Sequence, residues 1–242
     1  DHNSHQMAWM CSSTPRELIL AAGLTPVKLL THAGQDTSSG ESLLPTSFCP
    51  YVRRLCSQCL LDSASIPDHL LIVLSCDPMR RLADMASLYG RLKTVFRLDM
   101  PRRRDNLAVA FLTSQLEALK QELEGLTREA IPDHSLSQAI QTLNTTRSLL
   151  ARIADLRRSS PDLLPGSAFH RLVRLCHSHH PDVVHQYLQE RLEGLKNRSP
   201  AGRAWNGPRL LLTGSVLEDD DVLLRIEGKG AHMVYDDTCS GE

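Results

Sequence analysis

The chain of 242 residues lacks the features that indicate a nucleic-acid-binding or membrane protein. Its 27 Lys and Arg residues and 28 Asp and Glu residues leave a net charge of −1, so the protein has no overall positive potential that would attract a polyanion. Aromatic residues make up only 4%, so surfaces for base stacking are scarce. No apolar run approaches the roughly 20 residues that span a bilayer, and the first residues lack the basic and apolar pattern of a signal peptide, so we expect neither feature. We therefore expect a cytoplasmic protein that has no nucleic-acid or membrane partner.

The seven cysteines are an odd number, and they are spread over the whole chain. This distribution does not resemble a disulfide framework, and thiols in a reducing compartment more often serve metal binding or chemistry. The hydrophobic fraction of 41% suits a globular core. The length allows one large domain, or one domain and part of a second.

Strand-like and helix-like segments alternate along the chain. The predicted strands are 25–30, 69–74, 94–98, 209–215 and 232–235. The predicted helices are 14–23, 49–61, 79–89, 105–125, 135–157, one or two within 167–196, and 220–228, and residues 34–47 are predicted to be a loop. In the first helix, Thr14 suits the N-cap, Pro15 the first helical position and Glu17 a capping box, with a catalytic role as the alternative for Glu17. The alternation favours an α/β fold with a doubly wound parallel sheet.

The best candidate for a linker lies at residues 199–208, where Ser, Pro, Gly and Asn are concentrated. Strand–turn–helix units begin again after residue 208. The chain starts at Asp1 and stops at Glu242, directly after a strand that has no following helix. We expect a fragment with an N-terminal domain at 1–200, which includes a helical extension, and the beginning of a second domain at 208–242.

Three cysteines lie at junctions where parallel sheets place their sites, the carboxyl ends of strands and the starts of helices. Cys76 follows a predicted strand and precedes a helix, Cys49 precedes the helix that begins with Pro50, and Cys239 follows the last strand. A helix N-terminus lowers the pKa of a thiol and favours the thiolate, which is the form that binds iron or zinc. The spacing of 27 residues between Cys49 and Cys76 matches no short ligand motif, so buried structural cysteines remain the alternative.

Two further clusters have a composition that suits metals. Cys56-Ser57-Gln58-Cys59 is a C-x-x-C pair, which suits half of a zinc site or a redox pair, but it falls inside a helix. Cys176-His177-Ser178-His179-His180 stands at a helix end before Pro181, where imidazoles suit the negative end of the helix dipole. For both clusters, a structural role is the competing interpretation.

Arginine clusters follow two predicted strand ends, at Arg80-Arg81 and at Arg102-Arg103-Arg104. Guanidinium groups there would suit a phosphorylated ligand such as the coenzyme A tail, and solvated helix starts are the alternative. The chain contains no phosphate-binding loop, no nucleophile elbow and no dinucleotide-binding glycine pattern.

Taken in order, several junction sequences resemble one known family. They are 9–19 (WMCSSTPRELI), 21–27 (AAGLTPV), 49–53 (CPYVR), 75–82 (SCDPMRRL), 98–101 (LDMP), Asn144 with Arg147, 208–215 (PRLLLTGS) and 236–241 (DDTCSG). The order and number of these motifs are similar to those of the 2-hydroxyacyl-CoA dehydratase D-component family, which includes subunits of ATP-dependent benzoyl-CoA reductase. The resemblance covers the chain from about Trp9 onward.

The resemblance implies an α/β fold with a Rossmann-like parallel sheet domain, a helical extension and the start of a second Rossmann-like domain. It also implies a [4Fe-4S] cluster on three cysteine thiolates, with one iron open to substrate. Cys49 and Cys76 correspond to the first two ligands, and the third is expected beyond Glu242, with Cys239 as the fallback. Cys11 belongs to a motif but is not assigned as a ligand. Glu17 and Arg53 are weak catalytic candidates near the cluster.

The resemblance further implies an iron–sulfur lyase that eliminates water from an (R)-2-hydroxyacyl-CoA through a ketyl radical. An ATP-dependent activator protein would inject the electron, a related second subunit would complete a heterodimer, and an acyl-CoA would be the substrate. The alternatives are a subunit of an acyl-CoA reductase and an electron-relay partner whose cluster never meets substrate.

Overall fold

The computed structural model describes residues 5–32, 34–61, 66–160, 162–198 and 207–239. The chain divides into two compact units, residues 1–139 and 140–242. Within the described part of the chain, no helix has both the length and the apolar character needed to cross a membrane.

The first unit is a parallel sheet covered by helices. Its strands are β1 (Gln6–Trp9), β2 (Thr25–Lys28), β3 (His69–Leu74) and β4 (Thr94–Asp99). Its helices are α1 (Arg16–Ala21), α2 (Ser38–Leu43), α3 (Pro50–Leu61), α4 (Asp77–Tyr89) and α5 (Asn106–Thr127). All strand pairs are parallel, and the order across the sheet is β2-β1-β3-β4. The expected α/β class with a Rossmann-like parallel sheet is confirmed.

Burial explains why β3 has an almost uninterrupted apolar sequence. The strand pairs with β1 on one side and β4 on the other, and five of its six residues are buried. On one face, Leu71 and Val73 pack in a core with Ile19 of α1 and Leu123 of α5. A central parallel strand is covered on both faces, so it carries apolar side chains in both directions.

Two elements of the first unit are absent from the sequence-based prediction. The short strand β1 has only four residues and no alternation of polar and apolar side chains, and it is stabilised by ladders to both β2 and β3. The prediction of a loop over 34–47 is wrong, because α2 lies within it. Ser and Gly are weak helix formers, and this helix depends on its packing against α3.

The predicted capping box at the start of α1 is also wrong. The helix begins at Arg16 with Pro15 as its N-cap residue, so Thr14 lies one position too early to cap it. The Thr14 side chain is buried, and its hydroxyl has no hydrogen-bond partner among the described residues. A backbone hydrogen bond forms the turn that precedes the helix: the Thr14 N–H donates to the Cys11 carbonyl at 2.9 Å.

The second unit contains a helical core and a small sheet. Its elements are most of α6 (Asp133–Ser159), α7 (Gly166–Ser178), α8 (Pro181–Lys196), β5 (Arg209–Gly214), α9 (Asp221–Gly228) and β6 (His232–Thr238). Ile153 of α6, Phe169 of α7 and Leu188 of α8 lie fully buried in one apolar cluster. β5 and β6 pair in parallel with a register shift after Leu210.

The domain division at residues 200–208 stays a prediction. Most of the predicted linker at 199–208 lies outside the described residues, since residues 199–206 are not among them. The end of the chain from Ser240 to Glu242 lies outside them as well. What the structure gives is the division into two units near residue 139, within the length of α6.

Gly40 sets the distance between α2 and α3. Its N–H donates to the buried Ser57 hydroxyl at 2.7 Å, and a Cβ at this position would lie 2.1 Å from the Arg53 carbonyl oxygen.

We expect Gly40→Ala to destabilise the protein by about 1–3 kcal/mol, because the backbones of α2 and α3 must separate. Chemical denaturation measures the change. Gly125→Ala is the matched control: it adds a methyl group in open space within α5 and should be neutral or stabilising. Equal effects of both substitutions would contradict this role of Gly40.

Candidate metal centre

The strand order places a topological switch point between β1 and β3. From β1 the chain moves outward to β2, then crosses back to β3 and continues to β4 on the other side. In open parallel sheets, ligands bind outside the carboxyl ends of the strands at such a point. The loops that leave β1 and β3 here carry Cys11, Ser75 and Cys76.

A direct contact joins these two loops. The Cys11 sulfur lies 3.3 Å from the Ser75 hydroxyl oxygen, although 64 residues separate them in sequence. The next residue, Cys76, is the N-cap of α4, and its carbonyl accepts the first helical bond from the Arg80 N–H at 3.1 Å. Its side chain is exposed and makes no capping hydrogen bond. The thiol therefore stands at the positive end of a helix, which favours negative charge.

Cys49 occupies the corresponding position on α3. It directly precedes Pro50, the first helical residue, and its carbonyl accepts from the Arg53 N–H at 3.3 Å. The Tyr51 hydroxyl fixes the first turn by donating to the Leu29 carbonyl, 2.8 Å away in the segment that follows β2. The guanidinium of Arg53 pairs with the Glu41 carboxylate of α2. Two neighbouring segments thus hold the Cys49 position, which is half-buried.

Helices α3 and α4 begin at the same edge of the sheet. Both lead into parallel strands, so both run against the strand direction and start at the carboxyl edge. They pack together, and the Arg91 N–H beyond the end of α4 donates to the Cys59 carbonyl in the last turns of α3, at 3.2 Å. Since their C-terminal ends also meet, Cys49 and Cys76 lie at the same edge of the sheet, and their role as metal ligands stays a prediction.

Sequence reasoning missed an aromatic residue that contacts two cations at this edge. The Trp9 ring at the end of β1 lies 5.0 Å from the Arg16 guanidinium and 5.2 Å from the Lys28 ammonium. Lys28 is only 2% exposed. No local sequence signal marks this arrangement, because it joins the ends of two strands and the start of α1. It adds positive charge to the edge that carries the cysteines.

The two weak catalytic candidates lie in first helical turns at this edge. Glu17 is half-buried in α1, and Arg53 is in α3 with a side chain only 16% exposed. The contact described for Arg53 is with Glu41, which also accepts from the Thr37 hydroxyl at 2.8 Å. Their assignment to catalysis stays a prediction.

The described residues contain no group of three or more His, Cys, Asp or Glu side chains placed to hold a metal. As metal ligands, Cys49 and Cys76 would therefore need a further donor. Cys239, the fallback for a third, lies exposed after β6 in the second unit, where its N–H donates to the Gly214 carbonyl at 3.3 Å. The third ligand stays a prediction.

The pair Cys56 and Cys59 is buried inside α3. Burial raises the pKa of the Cys56 thiol to about 11 and that of Cys59 to about 12, where the neighbouring Cys56 adds to the effect. Neutral thiols are poor nucleophiles and poor metal ligands. The structural interpretation of this C-x-x-C pair therefore agrees with its surroundings.

The histidine-rich segment contributes to two helix ends. His177 is in the last turn of α7, as expected for a helix terminus. His180, which the sequence suggests is part of the same end, is instead the N-cap of α8, and its Nδ1 accepts from the Asp182 N–H at 3.4 Å. Pro181 explains the difference, because proline at a first helical position starts a new helix.

Two motifs of the second unit are organised by arginines. The Arg147 guanidinium donates to the Asn144 side-chain oxygen at 2.8 Å within α6. Arg157 is fully buried, stacks 4.0 Å from the Phe169 ring centre, and donates to Asp236 of β6 at 3.3 and 3.4 Å. This pair of a buried arginine and a partly buried aspartate fixes the strand that leads to Cys239.

This geometry defines an α/β protein with a thiol-bearing site at the switch point of a parallel sheet. The sequence profile of the 2-hydroxyglutaryl-CoA dehydratase D-component family matches residues 11–242, and the chain belongs to this family. The resemblance found in the motifs is thereby confirmed.

Relatives from three bacteria have similar sequences. A benzoyl-CoA reductase subunit of Thauera aromatica is 26% identical, over 98% of this chain and 62% of its own length. The (R)-phenyllactyl-CoA dehydratase beta subunit of Clostridium sporogenes is 23% identical, over 93% and 59%. The lactoyl-CoA dehydratase subunit beta of Anaerotignum propionicum is 20% identical, over 87% and 55%. The chain therefore spans less than two thirds of the length of these relatives.

The cysteine environments predict an order of chemical reactivity. In the folded chain at pH 8, iodoacetamide should modify the exposed Cys76 and Cys239 long before Cys56 and Cys59. With a pKa of about 11, only about one Cys56 in a thousand is a thiolate at that pH, and burial blocks access as well. Because the pKa is raised, this fraction grows only as the pH climbs toward 11.

Mass spectrometry of tryptic peptides after timed labelling measures the order. All seven cysteines should react in denaturant, which serves as the control. Labelling of Cys59 in the folded chain as fast as Cys76 would contradict the buried assignment.

Proposed function

We propose that this chain is the cluster-binding part of an iron–sulfur subunit of a 2-hydroxyacyl-CoA dehydratase-like enzyme. The observation that carries the proposal is the placement of Cys49 and Cys76 at the starts of two packed helices, at the switch-point edge of the sheet. The enzyme would be a lyase that eliminates water from an (R)-2-hydroxyacyl-CoA through a ketyl radical. The names of the phenyllactyl-CoA and lactoyl-CoA dehydratase relatives support this reaction class.

The chemistry of the donor set fits a [4Fe-4S] cluster. Thiolates are the ligands of such clusters, and both thiols lie at helix N-termini, where the helix dipole favours the thiolate. Arg16 and Lys28, which both contact the Trp9 ring, would add positive charge that balances an anionic cluster. We infer that Cys49 and Cys76 are two of three protein ligands, and that a further cysteine supplies the third thiolate.

A bound cluster would supply a single low-potential electron to the thioester carbonyl of the substrate. The residues of this chain would hold and shield that chemistry. Tyr51 and the Arg53–Glu41 pair fix the helix that carries Cys49, and the Cys11–Ser75 contact fixes the loop that carries Cys76. Glu17 and Arg53 are the proposed catalytic candidates, because each lies in the first turn of a helix that starts at this edge.

An ATP-dependent activator protein and a related second subunit are the proposed partners. The relatives are named as subunits, which supports assembly with a further chain. Reduction of an acyl-CoA is the second candidate function, and it is favoured by the similarity to a benzoyl-CoA reductase subunit. A relay that only passes electrons would need four protein ligands on the cluster. Substrate-dependent change in the electron paramagnetic resonance signal separates the two enzymes from the relay.

The ligand assignment predicts a loss of iron on substitution. After anaerobic purification of the full-length protein, Cys49→Ser and Cys76→Ser should each reduce bound iron and sulfide several-fold and remove the cluster signal in electron paramagnetic resonance, because a cluster that loses a thiolate is released. Cys239→Ser tests the fallback ligand in the same assay.

Cys176→Ala is the matched control, because this buried cysteine lies in the apolar cluster of the second unit. Its iron content should equal that of the unmodified protein. If Cys49→Ser and Cys76→Ser both retain iron at that level, the ligand assignment is wrong.

A further inference from the structure

A basic segment follows β4 at the carboxyl edge of the first sheet. Residues 102–104 are three consecutive arginines between the strand end at Asp99 and the start of α5, and all three are exposed. Sequence reasoning leaves two interpretations open, a phosphate-binding segment and a solvated helix start. The ion pairs of the described residues show which of the three arginines lack an acidic partner.

The two aspartates that border this segment are already engaged. Asp99 accepts from Arg80 at 2.6 Å and from the Met100 N–H at 2.9 Å. Asp105 caps α5 by accepting from the Ala108 N–H at 2.9 Å, and it pairs with Arg103 at 2.7 Å.

Arg102 and Arg104 have no acidic partner within the described part of the chain, so they present two uncompensated guanidinium groups to solvent. Guanidinium groups match phosphate oxygens in charge and in the geometry of their donors.

The position of the segment relative to the cysteines is set by Arg80. This residue is in the first turn of α4, whose N-cap is Cys76, and its bond to Asp99 ties that turn to the end of β4. Arg102 follows Asp99 by three residues, which span at most about 11 Å. The segment therefore lies at the rim of the edge that carries Cys76, displaced from the switch point toward the outer strand.

We propose that Arg102 and Arg104 bind the phosphate groups of the nucleotide half of a coenzyme A thioester. The site rests on the proposed function, since it uses the same edge and the same class of substrate. Coenzyme A carries its phosphates on a nucleotide that the long pantetheine arm separates from the thioester. Phosphates held at the rim would leave that arm free to direct the thioester inward along the edge, toward Cys76.

Binding of the nucleotide half alone tests this site without a cluster. Titration calorimetry with 3′-phosphoadenosine 5′-diphosphate should detect binding to the chain, and the double variant Arg102→Gln/Arg104→Gln should bind at least about tenfold more weakly. The affinity of the unmodified chain should fall with added salt more steeply than that of the variant. Arg152→Gln/Arg198→Gln removes two exposed arginines elsewhere and should leave the affinity unchanged.

A second probe identifies the source of the phosphates. ADP lacks the 3′-phosphate of coenzyme A, and it should bind distinctly more weakly if the site is built for coenzyme A. Equal binding of both nucleotides, equal binding by the Arg102/Arg104 variant, or no binding to the unmodified chain would each overturn the proposal. Loss of the iron site would not affect this measurement, so the two assignments fail independently.

Discussion

Parallel pairing of the four strands is the constraint on which the proposed site depends. Because every strand points the same way, every loop that leaves a strand emerges at one edge, and the starts of α1, α3, α4 and α5 gather there. The order of the strands then decides which loops are neighbours. β1 stands between β2 and β3 and directs its loop against that of β3, so that Cys11 and Ser75 touch. A short strand with little local signal thus determines the centre of the site.

The Cys49 side of the site depends on side-chain docking rather than on the sheet ladder. The helix that follows this cysteine is held by Tyr51 to the segment after β2 and by Arg53 and Ser57 to α2. These contacts use two buried hydroxyls, one charged pair and one glycine that allows close approach. Buried polar groups of this kind fix a unique arrangement, because each leaves an unsatisfied partner if the helices shift.

Local pattern is sufficient to predict β3, α4 and the position of Cys76 between them. A continuous apolar run, a proline near the first helical position and an amphipathic stripe are all properties of neighbouring residues. β1 and α2 escape such a prediction, because the stability of each comes from contacts with distant segments. The same holds for the Trp9–Lys28 contact and for the buried Arg157–Asp236 pair, which join residues on separate elements. The motif order identifies the family although it reveals none of these contacts.

The small sheet of the second unit has a consequence for how the protein behaves in solution. Within the described residues, β5 and β6 pair only with each other, so the outer backbone groups of both strands lack ladder partners. Leu211 is 61% exposed and Tyr235 38% exposed on these strands. Open strand edges with apolar side chains are templates for pairing with other chains. The outer edges of this small sheet are therefore the positions in the described chain where a further strand, from this protein or from a partner, would extend the ladder.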